Sequence, residues 1–251
     1  MAGHSKWANI QHRKGKQDKL RAKAFTKVGR EIIVAAKLGG GEPDMNPRLR
    51  LAIQKAKAVN MPNDRIKKAI QTGAGGADTA NYEEVRYEGY GTGGVAVIVD
   101  ALTDNRNRTF ASVRTAFDKF GGSLGESGSV GFMFDRIGQI MYLADKASAD
   151  DMFEAAVEAG AENCESDEAY HVITTSQDDI AAVRDALEAK YGEAEKADLT
   201  WQANTMTELD EGKASTMINF IEALEDDDDV QTVTTNMDVS DDIMEKLMAA
   251  E

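Results

Sequence analysis

The sequence changes character at a stretch rich in glycine and alanine, residues 73–81. Before this stretch, apolar residues recur at the spacing of helices that bury one side. After it, short apolar runs such as VAVIV, residues 95–99, alternate with glycine-rich turns and helical segments, which is typical of mixed α and β structure. With 42% apolar residues among 251, the chain can bury a substantial core. We therefore predict a multidomain α+β protein that begins with an all-α domain.

Three helices are predicted before the glycine-alanine stretch. The first covers residues 17–38. The second begins with Asn46 as its N-cap and Pro47 in the first helical position, and the third runs from about Pro62 to Gly73. These helices form a predicted domain of residues 1–78. Two α+β sandwich domains are predicted to follow, one split into residues 79–130 and 205–251 and the other, residues 131–204, inserted into it. Residues 130–134 and 139–143 are predicted as separate strands.

Charge is divided between the two parts of the chain. Residues 1–72 hold 17 Lys and Arg against five Asp and Glu, a net charge of +12. The remaining residues hold 12 bases against 39 acids, a net charge of −27, so the whole chain carries −15. A basic module joined to an acidic body predicts nucleic acid, or another polyanion, as the partner of the basic end.

The first predicted helix sorts its charges by face. Phe25, Val28 and Ile32 lie on one side of the helical wheel, and basic residues lie roughly opposite them. We call this basic face the α1 stripe; its members are Lys16, Lys19, Lys23, Lys27, Arg30 and Lys37. Few acids are interleaved to relieve the repulsion among these cations, which favours binding of an anion. The alternative is an ordinary solvated face, and the sequence leaves it open.

Further basic residues extend the predicted nucleic-acid surface. In the N-terminal arm, Trp7 and the neighbouring His and basic residues either contact nucleic acid or pack on their own domain. Arg106 and Arg108 follow Asn105, a predicted helix N-cap, and are predicted either to bind phosphate or to be solvated. The predicted nucleic-acid-binding residues are Lys6, Trp7, His12, Arg13, Lys14, Lys16, Lys19, Lys23, Lys27, Arg30, Arg48, Arg50, Lys55, Arg106 and Arg108.

Motifs for catalysis or cofactor binding are missing from the sequence. Gly89, Gly91 and Gly94 have GxGxxG spacing, but they precede a strand, so a hairpin turn is predicted rather than a nucleotide-binding loop. The acidic run, residues 225–229, lacks the spacing of a calcium loop and is predicted to be a solvated connection. The few His residues and Cys164 share no metal-ligand spacing, and no nucleophile motif occurs. We predict no enzymatic activity, metal, cofactor or small-molecule substrate.

The sequence also predicts the cellular setting. One cysteine cannot form an internal disulfide, which suits a reducing compartment. No apolar run approaches the length of a membrane span, and the N-terminus lacks the apolar segment of a signal peptide. A cytoplasmic protein that does not interact with membranes is predicted.

Several strings identify a family resemblance that covers nearly the whole chain. AGHSKWANIQHRK, GGGEPDMNPRLRLAI, LTDNRNRT and LEDDDDVQ closely resemble the YebC/PmpR family of transcriptional regulatory proteins. The resemblance implies three domains, the first all-α, in a cytoplasmic, non-catalytic protein that binds DNA, with related members that act in translation on the ribosome. Thr92, where proline is expected, and the string WQANT, residues 201–205, depart from the family pattern.

Two functions remain open at this point. The chain is either a DNA-binding transcriptional regulator or a ribosome-associated translation factor that binds ribosomal RNA through its basic domain. Cationic faces do not separate these possibilities, because phosphate contacts carry no sequence information. The oligomeric state, monomer or dimer, is also open.

Overall fold

The computed structural model describes residues 17–75 and 81–249. It opens with three helices, α1 (Gln17–Gly39), α2 (Pro47–Ala58) and α3 (Asn63–Ala74). The Asn46 side chain accepts a hydrogen bond from the Leu49 N–H at 3.1 Å, with Pro47 in the first turn, which confirms the predicted start of α2. The predicted extent of the first helix is confirmed to within one residue.

The three helices share one apolar core. α1 packs against both α2 and α3. Gly73 is needed where α1 and α3 approach each other, because a Cβ at this position would lie 2.3 Å from the Ile33 carbonyl oxygen. The buried residues of this core are Ile32, Ala35, Ala36, Leu49, Ala52, Ala56, Met61, Ile66 and Ala69.

The rest of the described chain alternates strands and helices. In chain order the elements are β1 (Glu83–Tyr90), β2 (Ala96–Thr103), α4 (Arg106–Lys119), β3 (Ser123–Leu124), β4 (Phe134–Leu143), α5 (Ala149–Glu158), β5 (Asn163–Ser166), β6 (Tyr170–Ser176), α6 (Ile180–Tyr191), β7 (Lys196–Ala203), β8 (Thr207–Glu208), α7 (Glu211–Glu225), β9 (Val230–Thr235), β10 (Met237–Asp238) and α8 (Asp241–Ala249).

The first sheet has the strand order β3-β1-β2-β9, with antiparallel neighbours. The VAVIV run, residues 95–99, is at most 1% exposed, as its continuous apolar character predicts. Helices α4 and α7 contribute Phe117 and Phe220, whose rings meet edge-on at 4.8 Å between centroids. The GxGxxG glycines lie at the β1–β2 hairpin, where Gly93 and Gly94 both have φ of 79°. The predicted hairpin turn is therefore confirmed.

A second sheet has the order β5-β6-β4-β7 and belongs to a compact unit of residues 135–202. In this unit Tyr142, Met152 and Ile173 are fully buried. Two parallel strands, β8 and β10, belong to the remainder of the chain, which forms the other unit. The separation of residues 1–78 from the split domain stays a prediction.

One predicted pair of strands is wrong. Residues Gly131–Met133 form a short 3-10 turn instead of a strand, and β4 then runs without interruption from Phe134. The cause is Glu88, whose buried carboxylate accepts hydrogen bonds from the N–H groups of Val130 at 3.0 Å and Gly131 at 2.7 Å. Burial would raise the pKa of Glu88, but these backbone hydrogen bonds outweigh it and lower the pKa. The turn is thus held by a carboxylate 42 residues away.

Candidate nucleic-acid interface

The α1 stripe contacts the acidic run of the same chain. The Lys23 ammonium lies 2.8 Å from the carbonyl oxygen of Asp226 and 2.6 Å from its carboxylate. The Lys27 ammonium donates to the Glu225 carbonyl at 2.7 Å. Arg30 donates to the Asp228 carbonyl at 2.7 Å and to the Asp229 carboxylate at 2.6 Å. Three members of the predicted phosphate-binding face therefore already have anionic or dipolar partners.

The position of the acidic run explains why cations gather there. Helix α7 ends at Glu225, so the last carbonyl groups of the helix have no partner within it. The negative end of the helix dipole lies at the same place, where cations are stabilising. Lys23 and Lys27 bind carbonyls at this end, and the neighbouring carboxylates add to the attraction. Burial is the main cause that lowers the pKa of Lys27, against the raising effect of Glu225.

Asp229 is the buried centre of this contact. It is 2% exposed, and its carboxylate accepts hydrogen bonds from the Thr109 hydroxyl at 2.7 Å and from Arg108 at 2.6 Å, in addition to Arg30. Burial would raise the pKa of Asp229, but the hydrogen bonds from Thr109, Arg108 and Arg30 outweigh it and lower the pKa. The acidic run connects a helix to a strand, as predicted, and Asp226 and Asp228 are exposed. The prediction that the whole run is solvated is wrong for Asp229, which joins α1 and α4 to the start of β9.

The two arginines at the start of α4 bind carboxylates. Asn105 caps the helix by accepting from the Arg108 N–H at 3.1 Å, as predicted. The Arg108 guanidinium binds the carboxylate of Asp229 and, at 2.9 Å, that of Asp104. These two contacts raise the pKa of Arg108. Arg106 lies 3.6 Å from Glu83 and remains exposed. Arg108 thus neutralises a buried acid, whereas Arg106 is accessible at the surface.

On α2 the predicted residues differ in their surroundings. Arg48 pairs with Glu31 through two hydrogen bonds of 2.7 and 3.1 Å and also contacts Glu84. The hydrogen bond to Glu31 is the main cause that raises the pKa of Arg48. Arg50 donates to the Pro43 and Asp44 carbonyls, and Lys55 is exposed.

Some predicted binding residues lie outside the described part of the chain. These are the arm residues Lys6, Trp7, His12, Arg13, Lys14 and Lys16, and the side chain of Lys19.

Sequence reasoning missed the cations on and beside α3. Arg65, Lys67 and Lys68 are exposed on this helix, and Lys57 is exposed near the end of α2. Among the residues described, their side chains form no ion pair. The signal was present, because placing Ile66 and Ala69 inward also places Lys67 and Lys68 outward.

Two general features of the described residues bear on function. None of the helices within residues 17–75 and 81–249 combines the length and apolarity needed to traverse a bilayer. In the same ranges, no group of three or more His, Cys, Asp and Glu side chains is arranged to hold a metal ion.

Known proteins resemble the chain along most of its length. A family model described as the TACO1/YebC protein N-terminal domain matches residues 5–76, and one described as the TACO1/YebC second and third domain matches residues 82–237. The crystal structure of a conserved hypothetical protein, Aq1575 from Aquifex aeolicus, is 45% identical, with a TM-score of 0.83 over 90% of this chain and 93% of that one.

Proposed function

Since the chain belongs to the TACO1/YebC family, as its sequence strings predict, we propose that it is a non-enzymatic DNA-binding regulator of transcription. Members of this family are generally called transcriptional regulators or translational activators, and they are regarded as regulators rather than enzymes. The observation that carries the proposal is the separation of charge, with a net +12 in residues 1–72 of a chain that carries −15.

This separation of charge favours one orientation toward a polyanion. Residues 73–251, the acidic remainder, repel nucleic acid at long range. The basic part of the chain that forms helices α1 to α3, which we call the helical segment, attracts it. Lys23, Lys27 and Arg30 of this segment already bind oxygen atoms of the acidic run, so these three cations attract nucleic acid less strongly. Cations that face solvent, such as Lys67 and Lys68, remain available to phosphates. The proposal therefore assigns nucleic-acid contact to the helical segment and leaves other roles to the acidic remainder.

A ribosome-associated translation factor is the second candidate. The exposed cations of α3 include two lysines, which bind phosphate as point charges, and phosphate contacts carry no sequence information. Folded RNA is recognised largely through backbone and shape, so such a surface suits ribosomal RNA as well as DNA. This composition is the observation that favours the second candidate.

The two candidates differ in what the full chain prefers. A specific DNA regulator binds its site about 10³-fold or more tightly than random duplex at physiological salt. Binding can be measured with a genomic fragment library, alongside sedimentation of the same protein with ribosomes at low and physiological salt. Strong selection of one fragment without sedimentation supports the DNA regulator. Weak selection with salt-sensitive sedimentation supports the translation factor, and failure to bind any nucleic acid contradicts both.

A further inference from the structure

The α1 stripe is not the most accessible cationic surface of the helical segment. Lys23, Lys27 and Arg30 each lie 2.6 to 2.8 Å from an oxygen atom of the acidic run. An incoming phosphate must displace these contacts before it can bind there. Exchanging these carboxylate and carbonyl oxygens for phosphate oxygens gives less net free energy than binding phosphate to unpartnered cations would, because each of the three cations loses an existing partner.

The exposed side of α3 offers cations that have no such competitor. Arg65, Lys67 and Lys68 are exposed, and among the described residues none of them makes an ion pair. Ile66, Ala69 and Gly73 are buried on the opposite side of the helix. We define the α3 face as Arg65, Lys67, Lys68 and Gln71, which the helical period places, together with the exposed Asp64, on the side away from the core.

Arg65 is held in a way that leaves its donors accessible. Its guanidinium lies over the Phe25 ring, 5.6 Å from the ring centroid. This contact with the ring uses no hydrogen bond, so the N–H groups of the exposed Arg65 can still donate to phosphate. The single acid of the helix, Asp64, lies in its first turn, where a negative charge stabilises the helix dipole.

The chemistry of this face favours a duplex over unpaired bases. Proteins that bind single strands place aromatic side chains where bases can stack on them. The exposed residues of α3 are Asn63, Asp64, Arg65, Lys67, Lys68, Gln71, Thr72 and Ala74, and none of these is aromatic. A face that carries charge but no stacking surface recognises a regular phosphate backbone.

We infer that the α3 face, rather than the α1 stripe, is the surface through which the full chain binds the phosphates of a nucleic-acid duplex. The inference rests on the proposed function and assigns its contact surface. It follows from two observations together, the pairing of Lys23, Lys27 and Arg30 of the α1 stripe with the acidic run and the exposure of the α3 cations without ion pairs.

The test uses two triple variants of the full chain that remove equal charge. The first variant is Arg65→Gln/Lys67→Gln/Lys68→Gln. The matched control is Lys119→Gln/Lys146→Gln/Lys246→Gln, which removes three exposed lysines outside the helical segment. Both take the net charge from −15 to −18, so any difference between them reports position rather than total charge. All six residues are exposed, so the urea midpoint should stay close to that of the wild type.

Binding of each protein is measured by fluorescence anisotropy across a salt series, with a duplex DNA, a duplex RNA and a single-stranded DNA as probes. The α3 variant should lose on the order of 10-fold or more in duplex affinity at low salt, and its salt slope on DNA should fall by about 0.9 per lost contact. The control should bind like the wild type. Loss on DNA, on RNA or on both supports the inference and identifies which duplex is the partner.

Other outcomes overturn the inference at different levels. If the α3 variant binds duplex like the wild type while Lys23→Gln/Lys27→Gln loses affinity, the surface is the α1 stripe and the proposed function stands. If the wild type binds a single strand more tightly than either duplex, the assignment to duplex is wrong. If the wild type binds none of the three probes, the inference and the proposed function fail together.

Discussion

The α1 stripe and the α3 face are two cationic surfaces built on helices of the same core, and they differ in what lies opposite them. The stripe meets the acidic run, whose carbonyl and carboxylate oxygens bind Lys23, Lys27 and Arg30. Among the residues described, no carboxylate pairs with Lys67 or Lys68 on the α3 face. The number of charges on a helix therefore does not decide whether they are available to a partner, because tertiary pairing can neutralise them first.

The largest expected effect comes from removing the buried centre of the stripe contact. Asp229→Ala leaves Arg30 and Arg108 without their shared carboxylate and should lower the free energy of unfolding by about 3–5 kcal/mol. Urea unfolding measures this loss. Asp228→Ala is the matched control, because Arg30 contacts the carbonyl of Asp228 and the side chain is exposed. Equal losses in the two variants would contradict the central role of Asp229.

A related prediction uses pH. The pKa of Asp229 is lowered in the folded protein, so its contribution to stability is present above the pKa of the unfolded chain, about 4. That contribution is lost as the pH falls through the folded pKa. The difference in free energy of unfolding between the wild type and Asp229→Asn should thus stay constant from about pH 7 to 5 and narrow below about pH 4. The comparison with the variant cancels the similar titration of Glu88.

The packing that places both cationic helices depends on Gly73. A methyl group at this position would clash with the Ile33 carbonyl, so Gly73→Ala should force α1 and α3 apart and cost about 1–3 kcal/mol. Gly29→Ala is a suitable control, since it lies within α1 and a Cβ at this position would meet no atom within 4 Å. Thermal unfolding of both variants measures the difference, and unchanged stability of Gly73→Ala would show that the helices can separate without cost.

These expectations show which parts of the fold the sequence determines locally. The caps at Asn46 and Asn105 and the buried run at residues 95–99 were predicted correctly, because each depends on residues close in the chain. The contact between Arg30 and Asp229 spans 199 residues, and nothing in either local sequence indicates the other. The turn held by Glu88 was missed for the same reason.

The candidate interface was harder to predict than the fold. Charge segregation located the basic segment, but it did not rank the faces within it. Six cations on one side of one helix favour the stripe, yet three of the four whose side chains are described, Lys23, Lys27 and Arg30, bind the acidic run in the folded chain. The fourth, Lys37, donates to the Asn81 side chain at 3.1 Å. The α3 face carries fewer cations, and its exposure follows from the packing of Ile66 and Ala69.

A smaller effect is expected from the stripe lysines. Lys23 is paired with Asp226, whose side chain is 67% exposed, and such pairs contribute about 0–1 kcal/mol. Lys23→Gln/Lys27→Gln should therefore lower the free energy of unfolding only slightly and change duplex affinity less than the α3 variant does. Anisotropy at one low salt concentration makes the comparison. A larger loss of affinity than in the α3 variant would reverse the ranking of the two surfaces.

The most direct measurement is the reactivity of individual lysines toward an amine-acylating reagent, in the full chain with and without duplex. Mass spectrometry gives the extent of acylation at each lysine. Lys67 and Lys68 should react readily in the free protein and be protected by duplex. Lys23 and Lys27 should react slowly in both states; burial lowers the pKa of Lys27, which by itself favours reaction, so slow labelling there reports occlusion by the acidic run. Fast labelling of Lys23 and Lys27 in the free chain, with protection by duplex at these two residues and none at Lys67 or Lys68, would contradict the account.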